Sequence, residues 1–166
     1  MTKLPLNTSR LTFSEFSKRD AEGFFLLNSD PEVMRFTGDV AFKNLEETLS
    51  FIRKYNDYEL HGMGRWTIRL KSTDKYIGWC GLKYHPDTQE VDIGFRLMHN
   101  AWNKGFATEA AIACLEWAKK KEVKKVVARC MIHNSASKRV IEKLGFAFTH
   151  SFKEDEVEWH QHELEL

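Results

Sequence analysis

The sequence predicts a mixed fold of α-helices and β-strands in a single domain spanning residues 1–166. The chain has 166 residues, an ordinary size for one domain. Three consecutive segments in its middle alternate apolar and polar residues with a period of two, as antiparallel strands do. A helical segment then separates two strands, and this order implies a parallel crossover connection. No linker, repeat or low-complexity stretch divides the chain.

The first third of the chain predicts one strand and several helices. Residues 10–16 alternate and predict the first strand. Asp20 is placed to cap a helix at 21–28, and the Asp30-Pro31 pair opens another, because proline is favoured in the first helical turn. Apolar residues recur at helical spacing from 45 to 58, which predicts one further helix.

The remaining elements alternate between strands and helices. Polar segments with turn chemistry separate the three strands in the middle of the chain and indicate an antiparallel meander. In chain order we predict strands at 66–70, 76–84 and 90–97, a helix at 108–120, a strand at 126–132, a helix at 135–144, and strands at 146–152 and 157–166.

Composition argues against several classes of protein. Hydrophobic residues make up 42% of the chain and charged residues 30%, and the net charge of +1 gives no reason to expect nucleic acid or an anionic membrane as a partner. No apolar run approaches the roughly 20 residues of a membrane helix. The first ten residues lack the apolar core of a signal peptide.

The three cysteines lie in apolar segments, so we expect buried, reduced thiols and a cytoplasmic protein. The seven histidines show no metal-ligand spacing, so no metal is expected.

The most informative stretch follows the strand at 90–97 and opens the next helix. Gly105 permits unusual backbone angles and a close approach by a ligand, and the small Ala107 keeps the first turn open. Free amides at the start of a helix attract anions, and these would suit a diphosphate. The alternative is an ordinary strand-to-helix turn. The amides in question belong to Lys104, Gly105, Phe106, Ala107 and Thr108.

A second stretch begins where the strand at 126–132 ends. Asn134 is placed to cap the following helix, with Ser137 three residues on. The purely structural alternative is a capped amphipathic helix whose apolar residues Val140, Ile141 and Leu144 belong to the core.

Together the two stretches resemble the GNAT superfamily of acetyltransferases. The family's acetyl-coenzyme A loop, Q/R-x-x-G-x-G/A, matches here at Gly105 and Ala107, whereas Trp102 replaces the usual Gln or Arg. That substitution resembles the branch of ribosomal-protein N-terminal acetyltransferases, where WGKGYATEA is common, although Asn103 stands where that branch often has glycine. The second family motif, N-x-x-S and a helix ending in KLGF, matches at Asn134, Ser137 and residues 143–146.

The resemblance implies a mixed, mostly antiparallel sheet flanked by helices, with a central parallel strand pair that splays apart. Acetyl-coenzyme A would enter the splay, its pantetheine arm on the backbone of 95–97, its pyrophosphate on the loop amides, and its adenosine end near Lys138 and Arg139. The cofactor-binding residues expected on this basis are Phe95, Arg96, Leu97, Asn103, Lys104, Gly105, Phe106, Ala107, Thr108, Asn134, Ser137, Lys138 and Arg139.

The transfer of an acetyl group to an amine needs a neutral amine, hence a base acting directly or through water. Period two places Glu90, Asp92 and Arg96 on one face of their strand, and Asp92 is the first candidate base, with Glu90 the second. The alternatives are a solvated carboxylate, a partner for Arg96, and catalysis by water and positioning alone. Ser137 resembles the serine near the thioester sulfur in the N-terminal acetyltransferase branch, either as hydrogen-bond donor or as helix cap. A tyrosine common in the second motif is replaced by Ile141.

We therefore expect an enzyme that transfers an acetyl group from acetyl-CoA to a primary amine. The acceptor would be a protein N-terminal α-amine, such as that of a ribosomal protein, or a small molecule, bound near residues 36–63. A non-catalytic acyl-CoA-binding regulatory module is the alternative. The lysine cluster at 119–125 could suggest nucleic-acid binding, but it has no interleaved aromatics. We expect a monomer or homodimer that binds neither nucleic acid nor membrane.

Overall fold

The computed structural model describes residues 7–166, and its centre is a seven-stranded sheet in the order β1-β2-β3-β4-β5-β7-β6. The segment 1–6, part of the stretch searched for a signal peptide, lies outside the described residues. The strands are β1 (Leu11–Ser14), β2 (Arg65–Leu70), β3 (Tyr76–His85), β4 (Glu90–Leu97), β5 (Lys125–Met131), β6 (Ala147–Glu154) and β7 (Val157–Glu165). The helices are α1 (Ala21–Leu27), α2 (Pro31–Met34), α3 (Leu45–Lys54), α4 (Asp57–His61), α5 (Phe106–Lys120) and α6 (Ser135–Lys143).

The sheet is antiparallel except at its centre, which confirms the predicted fold class. Strands β1 to β4 form a meander, and β5, β7 and β6 pair antiparallel beyond it. The two halves meet through β4 and β5, which run parallel and pair at only two positions, Asp92 with Val127 and Ile93 with Ala128. Beyond Ile93 the strands separate, and residues 94–97 do not pair with β5. This is the predicted splay.

The core lies where α5, the crossover helix between β4 and β5, packs on the sheet. Trp66 of β2 is fully buried and meets the ring of Trp117 at 5.1 Å between centroids. Cys80 and Cys114 face each other with sulfurs 3.7 Å apart, and Cys130 is also buried and free. The prediction of buried, unbridged cysteines is confirmed. Within residues 7–166, no helix combines the length and apolar character needed to cross a bilayer.

The single helix predicted over 45–58 is wrong, because the structure has two helices there. Tyr55 leaves the helical conformation, with φ −73° and ψ 111°. Its side chain then accepts a hydrogen bond from the backbone N–H of Arg65 at 2.8 Å. The second helix starts after Asn56 and ends at Gly62, which adopts a left-handed conformation. The apolar spacing continues through the break, although Ile52 of α3 and Tyr58 of α4 pack into two different clusters of the core.

Asp20 precedes α1 as predicted, but its carboxylate does not cap that helix. The side chain is buried and accepts hydrogen bonds from the backbone N–H of Ser17, the hydroxyl of Thr67 and the guanidinium of Arg69. A buried carboxylate needs such partners, since an unpaired charge in the interior is costly. Asp20 therefore ties the start of α1 to β2.

Candidate active site

A cleft of about 1060 Å³ opens where β4 and β5 separate. One end is lined by the loop between β4 and α5 and by the start of α6. The other end is lined by aromatic residues from the first third of the chain and from β3 and β7. The floor is the splayed part of β4. Both motifs found in the sequence therefore face the same cleft.

The loop before α5 has the geometry of an anion site. Gly105 is the residue that caps α5, and it is left-handed with φ 78°, a conformation that glycine adopts without steric cost. The first helical hydrogen bond runs from the N–H of Glu109 to the carbonyl of Gly105 at 3.0 Å. The amides of Phe106, Ala107 and Thr108 thus have no acceptor within the helix and lie at its positive end. The residues present fit a diphosphate.

Arg10 lies against this loop and was not predicted as a site residue. Its guanidinium donates from Nη1 to the carbonyl of Lys104 at 2.8 Å and from Nε to Glu109 at 2.6 Å. It also lies 4.3 Å above the ring of Phe106. A β-carbon at Gly105 would come within 3.3 Å of Arg10 Nη2. The absence of a side chain at Gly105 therefore makes room for Arg10 as well as for a ligand.

The second motif forms the other wall of this end. Asn134 accepts a hydrogen bond from the backbone N–H of Ser137 at 3.2 Å and so caps α6, as predicted. Ser137 lines the cleft, and its hydroxyl has no hydrogen-bond partner within residues 7–166. Arg139 lines the cleft too, whereas Lys138 points to Glu142, with nitrogen and oxygen 3.8 Å apart.

Asp92 lies on the cleft face of β4, surrounded by two arginines and a histidine. Its carboxylate pairs with Arg65 at 2.6 Å and with His85, and Arg129 is 3.8 Å away. Burial by itself would raise the pKa of Asp92, but the charge and hydrogen bond of Arg65 and the hydrogen bond of His85 outweigh it and hold that pKa well below its usual value. Asp92 is therefore ionised at neutral pH. Arg65, not Arg96, is its partner.

Glu90 lies at the other end of the same strand face. It pairs with Arg129 and faces Gln161, whose Nε2 is 3.4 Å from its carboxylate. Burial alone would raise the pKa of Glu90, but hydrogen bonds from Thr88, Arg129 and Gln161 and the charge of Arg129 lower it overall. Glu90 borders a separate cavity on the far side of Asp92, not the main cleft.

The opposite end of the cleft is aromatic. Five rings follow one another in a closed circuit, with neighbouring centroids 4.9–6.0 Å apart. Beside them, the indole of Trp79 lies between two guanidinium groups, those of Arg65 and Arg96, each 5.3 Å from the ring centroid. The five rings belong to Phe16, Phe24, Phe42, Phe51 and Tyr55, and all line the cleft.

Arg96 points toward this aromatic end. Its guanidinium donates to Asn28 at 2.8 Å and to Asp39 at 2.6 Å. Its side chain therefore faces the end of the cleft away from the phosphate loop, although its backbone belongs to the splayed edge of β4. Asp39 lies within the segment 36–63 that was predicted to form the acceptor side, and that segment supplies several of the lining residues.

The structure brings most of the predicted site residues to one cleft. Glu90, Lys104 and Lys138 do not line it. The lining includes Asp92, Phe95, Arg96, Leu97, Asn103, Gly105, Phe106, Ala107, Thr108, Asn134, Ser137 and Arg139. Sequence reasoning gave no role to Arg10, Arg65 or His85. Arg10 and Arg65 reach the site from distant parts of the chain. His85 lies seven residues from Asp92, on the neighbouring strand β3, but it matches no motif.

A family model described as an acetyltransferase (GNAT) domain matches residues 10–147 of this chain. The chain belongs to the GNAT family. The match covers both stretches that carried the resemblance, and it also includes Arg10. Acetyl-CoA, the acetyl donor of this family, supplies an activated thioester when bound. The chain is accordingly an acetyl-CoA-dependent acyltransferase, and the non-catalytic alternative is not favoured.

One sequence relative agrees with this assignment, and two solved structures share the fold. Over 144 residues the chain is 30% identical to an uncharacterized N-acetyltransferase, p20, of Bacillus licheniformis, covering 85% of this chain and 81% of that protein. The fold matches RimL, a ribosomal L7/L12 α-N-protein acetyltransferase in complex with coenzyme A, with a TM-score of 0.84, 14% identity and coverage of 99% and 98% of the two chains. It also matches MccE, a microcin C7 self-immunity acetyltransferase in complex with acetyl-CoA and AMP, with a TM-score of 0.83, 20% identity and coverage of 96% and 94%.

Proposed function

We propose that the enzyme acetylates a primary amine that enters the cleft from its aromatic end. The acceptor is a protein N-terminal α-amine or a small-molecule amine with an apolar group beside the nitrogen. The observation that carries this proposal is the continuity of the cleft: one space joins the phosphate loop to the aromatic circuit across the splayed edge of β4. Apolar groups of the acceptor would be buried against the aromatic rings at about 25 cal/mol per Å².

The cofactor would lie along the other half of the cleft. Phe95, Arg96 and Leu97 pair with β3 but not with β5, so the edge of β4 that faces β5 can hydrogen-bond the pantetheine arm. The carbonyl of Leu97 already accepts a hydrogen bond from Trp102 Nε1 at 2.9 Å. The amides of 105–108 would bind the pyrophosphate at the positive end of α5. Arg139 is placed for the adenosine end. Lys138, which is paired with Glu142, contributes at most from outside the cleft lining.

The chemistry requires removal of a proton from the acceptor amine and stabilisation of the leaving thiolate. Asp92 is the candidate base on the cleft face of β4, acting directly or through one water. Because the pKa of Asp92 is held low, it is a weak base whose rate contribution is modest, and positioning of the two substrates carries more of the rate. Ser137 would donate its free hydroxyl to the thioester sulfur.

A panel of acceptors tests the proposal through release of the free thiol of coenzyme A. We expect turnover with acetyl-CoA and peptides or small amines whose amine neighbours an aromatic or aliphatic group. The matched controls are the same peptides and amines with the nitrogen already acetylated, which should give no turnover. If amines with small polar neighbours are consistently the better acceptors, the proposed role of the aromatic end is wrong.

A further inference from the structure

The phosphate loop is anchored from outside by the segment before β1. Arg10 forms a fork that reaches two elements at once: Nη1 donates to the carbonyl of Lys104 in the loop, and Nε donates to the carboxylate of Glu109 in the first turn of α5. Arg10 exposes 45% of its side chain, so burial does not force it into this position. The contacts join residues about a hundred positions apart in the sequence.

Glu109 is the second half of this anchor. One of its carboxylate oxygens accepts hydrogen bonds from the Thr8 hydroxyl at 2.6 Å and from the backbone N–H of Arg10 at 2.9 Å, and the other pairs with Arg10 Nε. These hydrogen bonds together hold the pKa of Glu109 below its usual value, against the effect of burial. The segment is fixed in turn by Lys71, which donates to the carbonyl of Thr8 at 2.5 Å.

The anchor meets two physical needs of a diphosphate site. The loop contains two left-handed residues, Asn103 with φ 59° and Gly105 with φ 78°, and such a turn holds its shape only if its surroundings fix it. Glu109 also places a negative charge in the first turn of α5, whose positive end would bind the diphosphate. An unpaired carboxylate there would weaken the attraction between the helix dipole and the diphosphate. Pairing with Arg10 offsets that charge and directs it away from the cleft.

We propose that Arg10 and Glu109 form a positioning pair that holds the 103–108 loop in the conformation that binds the diphosphate of coenzyme A. The pair acts through the loop backbone and does not itself touch the ligand. This inference rests on the proposed placement of the cofactor. We therefore expect that both Arg10 and Glu109 are needed for full cofactor affinity, and that turnover at saturating acetyl-CoA depends on neither residue.

Calorimetric titration of the full chain with coenzyme A tests the pair without relying on activity. We expect Arg10→Gln and Glu109→Gln each to weaken binding by about 10- to 100-fold, because each loses hydrogen bonds to a charged group. Arg10→Lys keeps the charge but cannot span both partners, so it should restore only part of the affinity. The matched control is Arg19→Gln, since Arg19 forms an exposed ion pair with Asp74, 62% exposed on each side, and neither residue lines the cleft.

Steady-state kinetics separate positioning from a merely structural role. In both variants of the pair, KM for acetyl-CoA should rise while kcat stays close to that of the parent. With acetylpantetheine, a donor that lacks the diphosphate, kcat/KM should fall far less between the parent and the variants than it does with acetyl-CoA. Thermal melting of each variant with no ligand shows whether it is folded, and Glu109→Gln, which keeps the size and one acceptor oxygen, is the variant that should fold if Arg10→Gln does not.

The outcomes distinguish this inference from the function beneath it. If the parent fails to bind coenzyme A, the proposed cofactor site falls. If the parent binds and both variants retain full affinity, only the positioning pair is overturned. If Arg10→Gln weakens binding while Glu109→Gln does not, Arg10 contacts the phosphates directly through its free Nη2, and the positioning role is also overturned.

Discussion

At the scale of single residues, the cleft is organised by arginines paired with carboxylates. Arg65 with Asp92, Arg96 with Asp39, and Arg10 with Glu109 each fix one part of it. The Arg65 guanidinium also donates to the carbonyl of Gly81 at 2.7 Å and lies over Gly94, where a β-carbon would come within 2.9 Å of it. Charged partners this close hold side chains in single orientations more firmly than neutral hydrogen bonds do.

Substitution of Asp92 tests its role as the base. We predict that Asp92→Asn lowers kcat by about 10²-fold, toward the lower end of the range for a general base, because its pKa is already depressed and basicity falls with pKa. The carboxylate loses its charge only at strongly acidic pH, so the rise in rate near neutral pH reports the acceptor amine and should persist in the variant. Turnover measured across pH with an acceptor from the panel checks both points.

Two comparisons make the Asp92 result interpretable. Asp92→Asn also leaves the Arg65 guanidinium without its ion pair, so coenzyme A affinity and thermal stability are measured on the same variant. Glu90→Gln then asks whether the second carboxylate of the strand contributes from outside the cleft. A fall in kcat of less than about threefold in Asp92→Asn means that water and positioning suffice.

At the scale of elements, the site depends on two departures from regular structure. The parallel pairing of β4 and β5 stops after two residue pairs, which exposes the backbone of 94–97. The chain then turns sharply before α5 with a left-handed residue as its cap. Both departures were predictable, the first from the family resemblance and the second from the glycine that opens a helix. The break after α3 was missed: Asn56 and Asp57 are residues that favour turns and helix caps, but the apolar spacing continues through them. The hydrogen bond from the backbone N–H of Arg65 to Tyr55, which fixes the break, is not visible in a local pattern.

Gly105→Val tests the second departure. A β-branched residue at φ 78° should cost about 1–2 kcal/mol in backbone conformation. Its β-carbon would lie 3.3 Å from Arg10 Nη2, so the guanidinium would have to move. We predict a loss of at least about tenfold in coenzyme A affinity in a chain that still folds. Gly62→Val is the matched control: Gly62 is also left-handed, with φ 68°, but nothing lies within 4 Å of a β-carbon there. Titration calorimetry showing equal losses in both variants would contradict a local effect.

At the scale of the whole molecule, the sequence predicted the sheet better than it predicted the site's electrostatics. Alternation and helical periodicity are local, so the strands and helices were found in the right order with ends shifted by a few residues, except that α3 and α4 were merged into one helix. His85 comes from β3, the neighbour that the meander predicts, whereas Arg65 and Arg129 come from β2 and β5, and no local pattern records that their side chains will reach Asp92. Glu90 shares a face with Asp92 in the sequence, yet β4 and β5 pair at Asp92 and Ile93, between Glu90 and the main cleft, and Glu90 borders the separate cavity instead.

The pairing of β7 with β5 and β6 has a further consequence for the stability of the whole fold. His162 lies on β7, opposite Ala128 and Phe148, and is 1% exposed. Within residues 7–166 neither of its ring nitrogens has a hydrogen-bond partner. Burial is the main cause that lowers the pKa of His162, and the nearby His160 lowers it further. The folded protein therefore resists placing a proton on this ring, whereas the unfolded chain accepts one at about pH 6.5.

The sign of the effect follows from this difference in pKa. Above about pH 6.5 the ring is neutral in both the folded and the unfolded state, so the free energy of unfolding does not depend on it. Below that pH the unfolded chain binds a proton at this ring more readily than the folded chain does, so stability falls as pH falls. We predict that the free energy of unfolding in urea decreases between about pH 7 and pH 5, and that His162→Gln makes this decrease shallower. His150→Gln, on the exposed face of the neighbouring strand, is the matched control and should leave the slope as it is. Parallel slopes in the parent and His162→Gln would show that other groups, among them the paired carboxylates, account for the loss of stability in acid.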